Sequence, residues 1–425
     1  MVNSIQFIQD EFEDTSELPP PYAVLDDQDG VSESSNVAPE SIQMLHPTDM
    51  TIDFNDNTAT ARQLLSPKQK SIKIQFEGFS KTSLTIRPDI DDKYQGLILV
   101  HADFEYQDGG PLQQNLSLSC ISEVEEKSEQ LQITFCLCTE HDSVCKNVAC
   151  VCEMIIPINA AASSEEDVLS KLIVKMPRNS QLLVRNIPSS ALGSLDTAVI
   201  QGSTDIQNVS ISDMRVAIGE GAICAHNVFA ANTADFVSIF GSIELRNCAA
   251  VKTLGVKTKS ASIDIDTAKA SQVVINGGAR PIQARSIEAD SLRVQSGSGG
   301  VTVECTVADL QIATRSGSIH GTWNVSRTLD ICAASAIIKG AFRILSDCVR
   351  ASVRSRDWPI CLAMDERYVG HYNVRARNSV VRFGLPRGTR YEDHPHWCHG
   401  VIGVGANVLN IEGINAPVVV SSLTL

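Results

Sequence analysis

From about residue 71 onward, apolar and polar side chains alternate in short runs. Ser71-Ile72-Lys73-Ile74-Gln75-Phe76 puts Ile72, Ile74 and Phe76 on one face of an extended chain, and Leu84-Thr85-Ile86 and Gly96-Leu97-Ile98-Leu99-Val100 continue the pattern. Short strands separated by polar turns are expected through to the C-terminus. One helix start interrupts them: Ser163 and Glu166 have capping-box spacing ahead of Val168, Leu169 and Leu172, with Pro177 soon after.

The turns repeat. Gly202-Ser203-Thr204, Gly241-Ser242-Ile243, Ala261-Ser262-Ile263, Ser296-Gly297-Ser298, Ser316-Gly317-Ser318-Ile319 and Ala334-Ser335-Ala336-Ile337 pair a small-residue corner with a β-branched follower. Aligned on Ser203, Ser242, Ser262, Ser298, Ser318 and Ser335, they recur at one or two multiples of a unit near 18–20 residues. A unit of that length fits one rung of a β-solenoid, a few strands of ~5 residues joined by tight corners and stacked ~4.8 Å apart. A β-sandwich with Gly-Ser hairpins is the competing reading, but it predicts no fixed period. The expectation is an all-β chain, a β-solenoid or β-helix-like repeat domain. Its organisation is a disordered tail over 1–70, a β-rich module or first rungs over 71–180, and the repeat region with a C-terminal cap over 181–425.

The runs Leu292-Arg-Val-Gln-Ser-Gly-Ser-Gly-Gly-Val-Thr-Val and Leu310-Gln-Ile-Ala-Thr-Arg-Ser-Gly-Ser-Ile-His-Gly resemble the rungs of the putative-adhesin family, β-solenoid domains of unknown function. The resemblance spans about residues 180–345. It implies a β-solenoid fold and, through the family name, surface attachment. An adhesin-like or carbohydrate-active β-helix is therefore the alternative function to weigh, with carbohydrate as its ligand.

Composition changes the picture at the N-terminus. Of the net charge of −15, most lies early, since residues 1–60 carry 13 Asp and Glu and no Lys or Arg. With its Pro, Ser, Asn and Gln and no sustained apolar period, this stretch cannot bury enough surface to offset chain entropy. Only 5% of the chain is aromatic, which suits a narrow interior filled by Val, Ile, Leu and Ala. Asp10, Glu11, Glu13 and Asp14 stand where a secretory signal would need apolar residues, and no run reaches the ~18 apolar residues of a bilayer span. A cytoplasmic chain is expected, with its 13 cysteines as reduced thiols.

The tail holds the most specific motif. Leu18-Pro19-Pro20-Pro21-Tyr22 is a PPxY sequence. Its prolines preform a polyproline II peptide and its tyrosine supplies a flat anchor, the chemistry that WW domains bind in aromatic-lined grooves. It resembles the peptides by which ubiquitin ligases of the HECT type recruit substrates and adaptors. That resemblance implies a WW-domain partner recognised through Pro19, Pro20 and Tyr22.

Other candidate sites are thinner. If 131–138 and 148–156 form a hairpin, Cys136, Cys138, Cys150 and Cys152 share one face as a possible tetrathiolate zinc site. Against this, residues i and i+2 of a flat strand lie ~6.5 Å apart, too far for neighbouring ligands of one tetrahedral ion. Buried apolar thiols on a strand covered on both sides are the expectation. His394, His396, Cys398 and His399 form a second dense cluster around Trp397, read first as a loop packing that tryptophan onto the solenoid end. No metal and no cofactor is expected.

Ten arginines from Arg343 to Arg390 make a basic stripe, with Arg354/Arg356 and Arg375/Arg377 spaced for one strand face. The overall acidity and the lack of any nucleic-acid motif speak against nucleic acid, and docking of the acidic tail is the simpler use. Asp264 and Asp266 share a face, as glycosidase carboxylates do, but without a basic or aromatic subsite. No nucleophile elbow or phosphate loop occurs, so no catalytic residue is assigned. The expected function is a non-enzymatic interaction or scaffold protein with a WW-binding tail.

Overall fold

The computed structural model describes residues 51–423 apart from 56–57, 66–70, 78, 91–92, 94–96, 107–115, 126–127, 138–147, 159–168 and 385–388. Among the described residues there are 27 strands and no helix, and the fold is a β-solenoid. The chain divides into two compact units, one ending at Ala231 and the other beginning at Asn232.

In the second unit, parallel register stacks equivalent residues into columns. Ile243, Ile263, Ile282, Val301, Ile319, Ile338 and Ile360 follow one another at steps of 20, 19, 19, 18, 19 and 22 residues. Leu254, Val273, Leu292, Leu310, Leu329, Ala351 and Leu409 form a second column. A third runs through Cys248, Ala268, Ile287, Cys305, Trp323 and Phe342. All of these side chains are buried. Each fully buried aliphatic contributes ~1.5–3 kcal/mol, whereas an exposed ion pair contributes at most ~1 kcal/mol. The interior columns therefore hold the rungs together, and the charged outer face does not.

The expected period is correct, but the serine alignment slips. Register makes Pro281, Gly300, Ser318 and Ile337 the equivalents of Ser262, so Ser298 and Ser335 each stand two positions early. The serines belong to a different device, the closing of each turn. Ser238 Oγ accepts from Gly241 N (2.8 Å), Ser296 Oγ donates to Gly299 O (2.8 Å), Thr314 Oγ1 accepts from Gly317 N (3.0 Å), and Ser355 Oγ donates to Trp358 O (2.8 Å). These four hydroxyl residues are 0–2% exposed, and each stabilises its own corner by satisfying a backbone group that water cannot reach.

In the first unit, another corner is held by asparagine. Asn186, Asn208 and Asn227 have φ of 55°, 54° and 54°, a left-handed conformation that asparagine tolerates better than any other residue with a Cβ of its size. Their amides bond from rung to rung. Within the second unit, Trp323 fills the space left by two glycines: a Cβ on Gly340 would lie 2.5 Å from its Cη2, and one on Gly321 2.7 Å from its Nε1.

Both units carry irregular pairing beyond the regular stack. In the first, Ser71–Glu77 and Lys81–Asp89 pair in parallel with Leu169–Met176 and Ser180–Arg185, so the rungs begin near residue 71 and no break falls at 180. Antiparallel strands then extend the sheet, Val148–Pro157 to Ile98–Tyr106 to Thr58–Leu65 to Thr51–Asn55. The tail was expected to run to residue 70. Within that span Thr51–Asn55 and Thr58–Leu65 are strands, and the second buries Ala59, Ala61, Gln63 and Leu65 on one face, whose small and polar members hydrophobic patterning overlooks.

The expected helix start, Ser163 to Val168, lies outside the described residues; beyond it Leu169, Leu172, Val174 and Met176 are buried in a strand stacked on Ser71–Glu77, not in a helix. In the second unit the last rung inserts. Asn407–Gly413 lies between Arg350–Ser355 and Gly370–Ala376, parallel to both, and the antiparallel strands Trp397–Ile402 and Thr389–His394 cover Gly370–Ala376.

Candidate functional site

The C-terminal cap brings chemistry-bearing side chains onto one outer face. Register aligns Arg354 with Glu412, Glu412 with Arg375, and Arg375 with Trp397. Arg377 donates from Nε and Nη2 to Glu412 Oε1 (3.1 and 2.8 Å), and Arg354 Nη2 donates to Asp330 Oδ1 (3.2 Å). Arg375 donates from Nε to Asn373 Oδ1 (3.2 Å) and has no carboxylate partner among the described residues. Alongside it the rings of His394, Trp397 and His399 stand in a row, 6.1 Å and 5.3 Å between centroids and 20° and 8° between planes. Strand geometry produces the row. Trp397 and His399 are two residues apart on one face, and His394 is the cross-strand partner of Trp397.

Beside this row lies a groove of about 830 Å³ lined by His371, Asn373, Arg375, Arg377, Trp397 and His399, among others. Below it Tyr372 is 2% exposed and stacks on Phe383 at 4.3 Å. A second, shallower trough of about 520 Å³ crosses the small residues Thr322, Ala341, Ala363 and Ser421, with Glu304, His320 and Lys339 on its rim.

The hairpin premised for the cysteine candidates does not form. Ser128–Leu137 pairs with Ser71–Glu77 and Leu116–Glu125, and Val148–Pro157 pairs with Lys81–Asp89 and Ile98–Tyr106, so the two strands premised as a hairpin for Cys136, Cys138, Cys150 and Cys152 do not pair. Cys136 belongs to one of these strands, and Cys138 lies outside the described residues. Cys150 and Cys152 are buried, and loss of solvation pushes both thiols up, with added repulsion from neighbouring negative charge. Val151 between them is 57% exposed, so around the two cysteines the strand is open on its other face, contrary to the expectation of burial on both, although Ile155 further along that face is buried.

At the cap, Cys398 turns inward and is buried, whereas His399 lies on the groove face. His396 donates from Nδ1 to Ser379 O (2.6 Å), and His394 Nδ1 accepts from His396 N (3.3 Å), so both imidazoles are engaged locally. Among the described residues no group of three or more His, Cys, Asp or Glu converges to hold a metal ion. The Leu18, Pro19, Pro20, Pro21 and Tyr22 motif lies outside the described residues.

Elsewhere, shifted titrations have structural causes. Burial raises Cys305 to about 12 and Cys332 to about 11, and it raises Tyr368 well above the usual phenol range. Hydrogen bonds from Arg327 hold Asp309 below the usual carboxylate range. Asp264 and Asp266 each face Arg285 at 3.9 Å on an exposed surface. Sequence reading located the cap cluster by its density of His and Trp. It missed the ladder of Arg354, Glu412 and Arg375, because those residues meet only through the inserted rung.

Two solved structures align over most of the chain: a putative cell adhesion protein from Clostridium sporogenes (8% identity, 86% of this chain and 99% of that one, TM-score 0.18) and a putative adhesin from Bacteroides fragilis (9% identity, 85% and 98%, TM-score 0.24). No curated protein matches the chain. Residues 237–335, the most regular stretch of rungs, match the family model described as Toastrack DUF4097.

Proposed function

We propose that the chain is a non-enzymatic binding protein in which the solenoid presents a recognition surface and the acidic leader recruits a WW-domain partner, of the kind carried by HECT-type ubiquitin ligases. The observation that carries this reading is the Leu18 to Tyr22 motif, set in a stretch of 60 residues without a single Lys or Arg. Polyproline recognition needs an accessible, preformed peptide with a terminal aromatic anchor, and this segment supplies both the prolines and Tyr22. The solenoid side of the reading is supported by the described titratable groups with shifted values. They are either apolar-buried thiols and Tyr368 or members of exposed hydrogen-bonded pairs, an arrangement that stabilises a scaffold and does not poise an acid against a base. A cytosolic setting suits Cys150, Cys152 and Cys305, thiols buried among apolar side chains.

A labelled peptide covering residues 12–30, titrated against a panel of WW domains, tests the partner. Micromolar binding that Tyr22→Ala abolishes is expected, and silence across the panel would sink the assignment. Carbohydrate binding is the second reading, favoured by the Trp397 row beside Asn373 and Arg375 in the cap groove. A glycan array probed with the full chain separates the two.

A further inference from the structure

The cap groove and the acidic leader are complementary in charge and in shape chemistry. Arg375 is exposed in the groove lining with no described carboxylate partner, while Arg354 and Arg377 are already engaged by Asp330 and Glu412. Among the described side chains this leaves one guanidinium open toward solvent, next to Trp397 and among His371, His396 and His399. A guanidinium beside a row of planar rings recognises a carboxylate carried on a peptide with proline or aromatic neighbours. The guanidinium forks onto the carboxylate, and the rings pack the apolar residues as aromatic-lined grooves pack polyproline peptides. The same chain carries such a peptide: Glu13, Asp14 and Glu17 precede Leu18-Pro19-Pro20-Pro21-Tyr22, and Asp26 and Asp27 follow it.

We infer that the cap groove is a docking site for the chain's own acidic leader, with a leader carboxylate on Arg375 and the Pro–Tyr core against the His394, Trp397 and His399 row. Docked, the leader hides its tyrosine, so the groove competes with an outside partner for the same five residues. That consequence rests on the reading of Leu18 to Tyr22 as a recognition peptide, whereas the docking itself does not.

The test uses the full chain and a fluorescein-labelled peptide of residues 8–30. One protein is the native chain. The second has its own leader disabled by Glu13→Gln, Asp14→Asn, Glu17→Gln, Tyr22→Ala, Asp26→Asn and Asp27→Asn. The disabled chain is expected to bind the peptide, and the native chain to bind it about tenfold or more weakly, because its tethered leader occupies the groove at high effective concentration.

Adding Arg375→Glu to the disabled chain should abolish binding, while Arg367→Glu, an exposed arginine outside the groove, should leave it unchanged. Equal binding by native and disabled chains, no binding by the disabled chain, or equal effects of Arg375→Glu and Arg367→Glu would each overturn the inference. The free peptide against WW domains is measured separately. Its failure there, with groove binding intact, removes the partner reading and leaves the docking standing.

Discussion

Asn227 donates from Nδ2 to Asn208 Oδ1 across 2.9 Å, and Asn208 repeats the bond to Asn186 at the same distance one rung further. The two links join three residues whose left-handed backbone would be strained for most side chains. Asn208→Ala should therefore lose two hydrogen bonds and add left-handed strain, lowering unfolding free energy by about 2–3 kcal/mol. Asn208→Gly loses only the bonds and should cost less. Urea unfolding of both variants checks the order, and a larger loss for glycine would contradict it.

The packing of Trp323 against Gly340 makes a second prediction. Gly340→Ala places a Cβ 2.5 Å from the indole, and an overpacked core of this kind costs about 1–3 kcal/mol. In a Trp323→Phe background the alanine meets less ring and should cost less, a coupling readable in a double-mutant cycle of thermal midpoints. Purely additive effects would mean that Gly340 is required by its backbone neighbour Gly321 O, at 2.8 Å, and not by the indole.

The inserted rung is clamped by one buried side chain. Asn407, 1% exposed, accepts from Val349 N (2.6 Å) and donates to Val369 O (2.7 Å). Asn407→Leu strands both backbone groups, each at ~1–3 kcal/mol, and should loosen the cap before the rest of the unit. Hydrogen exchange should show faster exchange in 370–376 and 407–413 with little change in 282–314.

Buried thiols set a pH limit. Cys305 titrates near 12 in the folded chain because burial disfavours its thiolate, against an ordinary value of 9.0. The folded state thus retains a proton that the unfolded state releases, and the contribution is fully present below pH 9. It is lost at up to ~1.4 kcal/mol per pH unit as pH rises from 9.0 toward about 12. Unfolding free energy should fall over that window, and Cys305→Val should flatten the fall. Alkylation at pH 8 should mark exposed Cys348 well before Cys150, Cys152 or Cys305.

The rungs were legible in sequence because Gly-Ser corners and β-branched followers recur with the period of the stack, and Ile243, Ile263 and Ile319 occupy the positions that pattern requires. The asparagine corner carried its own signal in Asn186, Asn208 and Asn227, spaced 22 and 19 residues apart, but polar residues at turns are too common to single out unaided. The insertion of Asn407–Gly413 had no local signature. Its register with Arg350–Ser355 spans 58 residues, and only tertiary stacking selects that partner. For the same reason His394, His396 and His399 were visible as a cluster and Arg375 as part of a basic stripe, while the register that sets Arg375 and Glu412 beside that cluster was not. The split of Cys398 from its histidine neighbours follows from strand alternation, once a strand rather than a loop is known to hold them.

The central claim is that this solenoid is a binding protein whose leader recruits a WW domain. Isothermal titration of one WW domain, chosen by peptide affinity, into the native full chain and into the Tyr22→Ala full chain tests it most directly. The account predicts saturable one-to-one binding by the native chain and none by Tyr22→Ala. Equal binding by both chains, or binding by neither, would contradict it.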